Sequence, residues 1–137
     1  MNVCLCGSEE AATTLDTLSG IIRNVVNPEC FFEYHGIKDF AERLSNPFQT
    51  TDIAVLVAAD ERELDQLAAL RDGSDNYDII LILAGSQDRP GLFAKGYALS
   101  PRFLTNAASG LGEVGLVLRK MMQVRSSKTP GNERKYE

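Results

Sequence analysis

The chain has one histidine, His35, and three cysteines, Cys4, Cys6 and Cys30, among 137 residues. A structural zinc site needs four ligands, usually with Cys-x-x-Cys pairs, and this inventory holds no such pair. Cys4 and Cys6 stand two apart on a predicted strand and therefore share a face. The odd count reads as buried, reduced thiols acting as small hydrophobes. Long apolar runs are missing too. The runs at residues 53–59 and 79–84 hold only seven and six apolar residues, far short of the ~20 that a membrane-spanning helix needs. The N-terminus shows neither the basic n-region nor the h-region of a signal peptide, so a cytoplasmic location without membrane contact is expected. Nor is there a basic face. The formal net charge is -5 and the pI about 4.9, which argues against direct binding to nucleic acid. The basic residues Arg119, Lys120, Arg125, Lys128, Arg134 and Lys135 gather late, as cations do at a helix C-terminus and in a solvated tail. No Walker loop or internal repeat occurs.

What is present fits one domain. Hydrophobic residues at 44% and charged residues at 24% are the proportions of a folded soluble chain, and the length suits a single core. Short apolar runs alternate with helical periods. Residues 2–6 read as a buried strand. Ser8 then reads as an N-cap, with Glu9 and Glu10 in the first turn where the helix dipole favours them. Ala11, Leu15, Leu18, Ile22 and Val25 recur at three- and four-residue steps, one face of a helix that Asn27-Pro28 stops. The aromatic-rich residues 30–34 give a second strand. Gly36 leads into a short helix bearing Ile37, Phe40, Ala41 and Leu44, ended by Asn46-Pro47.

Residues 53–57 form a third strand. Asp60 and Glu63 follow at capping-box spacing, then Leu64, Leu67 and Leu70 continue a helix that Gly73 closes. Residues 79–83 form the fourth and most apolar strand. Neither the third nor the fourth strand alternates with polar residues, so both are expected at the sheet centre. Residues 85–95 are interrupted by Pro90 and Gly91 and predict only a turn of helix around 92–95. Residues 97–99 predict the fifth strand. Ala107, Leu111, Val114, Leu118 and Met121 mark a long last helix. From Ser126 the composition is that of a tail or linker. Five βα units with right-handed crossovers predict an α/β three-layer sandwich: a flavodoxin-like, five-stranded parallel sheet of order 2-1-3-4-5 with helices on both faces. The expected domain spans residues 1–124, with a flexible tail at 125–137.

In such a sheet, ligands bind outside the carboxyl ends of the strands. That edge is expected to carry Gly7, Ser8, Glu9 and Glu10, residues 58–61, then Gly85, Ser86 and Gln87, and lastly Ser100 and Pro101. Over residues 1–124 the chain resembles a response-regulator receiver domain. The resemblance rests on element order and three stretches: Asp52-Ile-Ala-Val-Leu-Val57, similar to the strand that ends in the phosphoacceptor Asp; residues 79–84, similar to the strand that ends in Thr/Ser-Ala; and Ala98-Leu-Ser-Pro-Arg-Phe103, similar to the Lys-Pro-Phe exit of the fifth strand.

The receiver's phosphorylation residues are replaced. The acidic pair that holds magnesium aligns with Cys6 and Gly7, the phosphoacceptor with Val57 or Ala58, the Thr/Ser with Leu83 or Ala84, and the Lys with Ser100. Phosphoryl transfer to Asp needs a carboxylate nucleophile, metal ligands and a cation. Asp60 is the one displaced acceptor to weigh, and its spacing to Glu63 favours a helix N-cap. The match to the receiver's Lys-Pro step implies a cis Ser100–Pro101 bond. A nucleophilic Cys6, as in sugar-transport IIB domains or small tyrosine phosphatases, would need a positive surround, whereas Glu9 and Glu10 are negative. The same two charges oppose a flavin phosphate. His35 reads as an exposed turn residue.

The resemblance therefore implies a non-phosphorylatable pseudo-receiver acting through protein–protein contact in signal transduction or transcription regulation. It is similar to the degenerate receivers that lead bacterial enhancer-binding activators, where a AAA+ ATPase and a DNA-binding domain follow. The alternative is a small-ligand-binding or phosphoryl-transfer enzyme on the same fold. No enzyme activity, cofactor or metal is expected. The expected contact face joins the weak fourth helix, the fifth strand and the last helix through Phe93, Tyr97, Phe103 and Arg119, with a homodimer as one candidate.

Overall fold

The computed structural model describes residues 1–72, 77–84, 90–108 and 110–127. Five parallel strands, β1 (Val3–Gly7), β2 (Phe31–His35), β3 (Ile53–Ala58), β4 (Asp78–Leu83) and β5 (Phe103–Asn106), form one sheet in the order β2-β1-β3-β4-β5. Five α-helices connect and cover it: α1 (Ala12–Arg23), α2 (Ile37–Ser45), α3 (Glu61–Asp72), α4 (Pro90–Tyr97) and α5 (Leu111–Ser127). This is the flavodoxin-like α/β sandwich. No helix among the described residues is long and apolar enough to cross a membrane.

Strand alternation divides the core into two layers, because successive side chains point to opposite faces of a sheet. Val3, Leu5, Ile53, Val55, Val57, Ile80 and Ile82 pack on one face against Leu15, Leu18 and Ile22 of α1 and Val114 and Leu118 of α5. Cys4, Cys6, Ala54, Leu56, Ala58, Ile79, Leu81 and Leu83 pack on the other against Phe40 of α2, Leu64 and Leu67 of α3, and Leu92 and Leu99 beside α4. Val114 and Leu118 of the α5 stripe are thereby used up by the sheet.

Three elements depart from the sequence expectation. Residues 97–99 are not the fifth strand: α4 runs to Tyr97, and β5 starts at Phe103. Pro90 and Gly91 look like breakers, yet Pro suits the first turn of a helix, where its missing N–H costs nothing. Gly96 lets α4 lie close to the sheet, since a Cβ there would come within 3.1 Å of Leu81 and 3.4 Å of Leu104. Second, the Ser100–Pro101 bond is trans, not cis. The chain reverses after α4 through Ser100, whose φ is 54°. Third, α5 continues past residue 124 through Ser127, and Arg125 is tied to the strands, so the packed unit is longer than 1–124. The expected helix stop at Gly73, the strand-end residues Gly85, Ser86 and Gln87, and the tail at 128–137 lie outside the described residues.

Burial sorts the large side chains by energetic weight. Leu56 is fully buried, whereas Phe48, in the turn after α2, is 92% exposed. Leu56→Ala is expected to lower unfolding free energy by about 2–5 kcal/mol, and Phe48→Ala to change it by under about 0.5 kcal/mol. Urea denaturation of the two variants checks the contrast.

Candidate functional site

The carboxyl edge of the sheet is where this architecture normally binds ligands. Cys6 and Gly7 are the last residues of β1, Val57 and Ala58 the last of β3, and Ala84 follows β4 with its N–H donating to the Ala58 carbonyl. Ser100 is elsewhere. It precedes β5, at the amino edge, and the residue that ends β5 at the carboxyl edge is Asn106. The alignment of Ser100 with the receiver's lysine fails because it depended on a fifth strand at 97–99.

Several polar groups at this edge are engaged locally. Asp60 accepts the Glu63 backbone N–H on Oδ1 at 2.9 Å, and the Glu63 carboxylate accepts the Ala59 N–H at 2.8 Å. Asp60 thus caps α3 as its spacing predicts, while Glu63 reaches back to the N–H one residue before the N-cap rather than to the N-cap's own. Lys95 on α4 donates to Glu61 at 2.6 Å and sits 3.0 Å from Asp65, strapping α4 to α3. The hydrogen bond to Glu61, then that to Asp65, raises the lysine pKa. Glu9 and Glu10 are exposed in a 3-10 turn, Glu9–Ala11, that precedes α1. Ser8 makes no side-chain cap there, contrary to its expected role, and its buried hydroxyl has no hydrogen-bond partner among the described residues. Among the described residues, no group of three His, Cys, Asp or Glu is placed to hold a metal ion.

Cys6 is buried at the end of β1. Burial, followed by the nearby Cys4, Glu63 and Asp39, pushes its pKa up to about 12, and its thiol donates weakly to the Gly36 carbonyl at 3.7 Å. Burial raises the Cys4 thiol as well. His35 ends β2 and is exposed.

The residues expected to form a contact face separate. Phe93 packs partly into the core layer under α4, and Phe103 into the opposite layer. Tyr97, 64% exposed at the end of α4, and Arg119, exposed on α5, remain available to a partner. Exposed apolar residues not legible as such include Leu116 on α5, 62% exposed, and Phe48. Phe48 is held by an Asx turn, its N–H donating to Asn46 Oδ1 at 2.8 Å. Asn46-Pro47 marks the turn in sequence but not the exposure. Compared with protein-family models, curated proteins and solved structures, the chain matches none.

The thiols give a direct check. Iodoacetamide at pH 8 is expected to label half-buried Cys30 in the native protein and to reach Cys4 and Cys6 only in denaturant, read by peptide mass. Folded Cys6 holds its proton more tightly than a free thiol of pKa 9.0. Its contribution to stability is thus complete below pH 9 and lost as pH rises towards 12. The urea midpoint should fall over that window, and less steeply in Cys6→Ala.

Proposed function

We propose that this chain is a receiver-like regulatory domain, cytoplasmic, that lacks acyl-phosphate chemistry and works through protein–protein contact, a second copy of itself being the simplest partner. The observation that carries the reading is the commitment of Asp60. It is the acid nearest the end of β3, and its carboxylate is spent on capping α3. The strand ends around it are Gly7, Ala58 and Ala84, none of which offers an acidic ligand or an acceptor. Lys95, the nearest lysine on α4, is held by two carboxylates of α3. A nucleophilic-cysteine enzyme is disfavoured by the raised Cys6 pKa. The 2-1-3-4-5 order supports a receiver-like fold, although that fold hosts many functions.

The deciding experiment is incubation with acetyl phosphate and magnesium, followed by intact mass. No phosphoryl adduct is expected, and a stoichiometric adduct on Asp60 would overturn the reading. For the contact surface, Tyr97→Ala and Arg119→Ala are expected to leave the denaturant midpoint unchanged. Tyr97→Ala should weaken self-association, followed by sedimentation, by about 1–2 kcal/mol, the usual weight of an interface aromatic. Strictly monomeric behaviour of the wild-type chain, with no capture of a partner that depends on Tyr97, would remove this surface.

A further inference from the structure

A cavity of about 440 Å³ opens at the amino edge of the sheet, between the starts of β4 and β5 and the second half of α5. It lies at the end opposite the one where this architecture normally holds ligands. Its origin is a mismatch of lengths. Helix α5 has 17 residues and β5 four, which correspond to about 25 Å and 13 Å. The helix outruns the edge strand it covers. Val117, Met121 and Val124, spaced four and three apart on one side of α5, therefore form an apolar wall facing the cavity.

The facing wall is charged, and its sign is the opposite of the chain's. Asp78 lines the cavity but is already neutralised: Oδ1 takes Arg102 Nε at 3.3 Å, and Oδ2 takes Arg125 Nη1 at 2.8 Å. Arg125 turns its other nitrogen to Asp52, 3.5 Å away. That leaves the outer nitrogens of Arg102, whose side chain is 58% exposed, and the ammonium of Lys120, for which no ion pair occurs among the described residues. Counting Asp52 with the lining, the site still holds one positive charge in excess, in a chain whose net charge is -5.

We propose that this cavity binds a small amphipathic monoanion, a carboxylate or sulfonate on an aromatic or short aliphatic body. The body lies on Val117, Met121 and Val124, and the head group meets Lys120 and the free end of Arg102. The volume is in the range of small-molecule pockets, which combine apolar walls with a few convergent polar groups. Lys120 and Arg102 are exposed and solvated before the ligand arrives. The anion therefore displaces loosely held water rather than breaking an ion pair. This inference does not depend on the pseudo-receiver reading.

The test uses the full chain with 1-anilinonaphthalene-8-sulfonate as fluorescent probe and 4-phenylbutyrate as competitor. Saturable one-site binding is expected, displaced by 4-phenylbutyrate but not by the neutral 4-phenylbutan-1-ol, and weakened by added salt. Lys120→Glu should weaken it about five- to tenfold, since one exposed charge contact is lost and one repulsion gained. Val124→Trp, which fills the cavity from a position already 46% exposed, should abolish it. Phe48→Ala, outside the cavity lining, should leave it unchanged. Urea midpoints identify any variant that fails to fold. Non-saturable fluorescence, equal competition by the alcohol, or an unaltered affinity in folded Lys120→Glu overturns the proposal. So does sedimentation showing a dimer that Val124→Trp dissociates, which would give the cavity to a second copy.

Discussion

Burial of three strands on both faces governs everything else in this molecule. Every residue of β1 and β3, and all of β4 after Asp78, is shielded from water. A strand in that position satisfies its backbone only through neighbouring strands, so β1, β3 and β4 must be interior to the sheet. It also needs an apolar cover on each side, which fixes α1 and α5 on one face and α2, α3 and α4 on the other. Polar chemistry is then confined to the two ends of the strands, because no interior position can hold an unpaired charge without a large desolvation cost.

The same burial explains which parts of the fold could be read from sequence. Continuous apolar runs at residues 53–57 and 79–83 have no solvent face, and they place those strands at the centre as observed. The capping pair of Asp60 and Glu63 was equally legible, since it depends on spacing within one turn. The fifth strand was misplaced because β5 is an edge strand, half-buried throughout, with no apolar run to mark it. Tyr97, Ala98 and Leu99 looked more strand-like than Phe103 to Asn106, yet Leu99 and Leu92 are seven residues apart on the helical side of the core. That shift moved Ser100 to the wrong edge. The cavity was not legible at all, because Asp78, Arg102 and Lys120 are far apart in sequence and meet only through the β4–β5 pairing and the overhang of α5.

Arg43 shows how the fold tolerates a charge where the helical pattern calls for an apolar residue. It lies on α2 beside Phe40, almost fully buried, and no carboxylate pairs with it among the described residues. Its guanidinium lies 4.3 Å from the centre of the Phe32 ring. It donates to Thr51 Oγ1 at 3.1 Å, to the Tyr34 hydroxyl at 3.0 Å and to the Thr50 carbonyl. Arginine suits this place because its planar fork can serve three acceptors while its face stacks on an aromatic ring. These bonds fasten the chain just before β3. Asn2 adds a second tie, its side chain donating to Thr50 and its backbone to Asp52. Phe48 is therefore displayed on a segment anchored on both sides, which lowers the ordering cost of any contact it makes.

The two ends of the sheet differ in what remains free once the fold is complete. At the carboxyl end, Asp60, Glu63, Glu61 and Lys95 are bound to backbone or to one another within a short reach. Their local pairing stabilises the start of α3 and the packing of α3 on α4, while Glu9, Glu10, Lys38, Asp39 and Arg62 are exposed at that end. At the amino end, Asp52 and Asp78 start adjacent strands, and their carboxylates would repel if left alone. Arg125 spans them from α5, and Arg102 approaches Asp78 from β5. Two cations therefore answer two anions, and Lys120, five residues before the bridging arginine on α5, carries a charge that the network does not need. A sheet of this order exposes acid at one end and a surplus cation beside an apolar wall at the other.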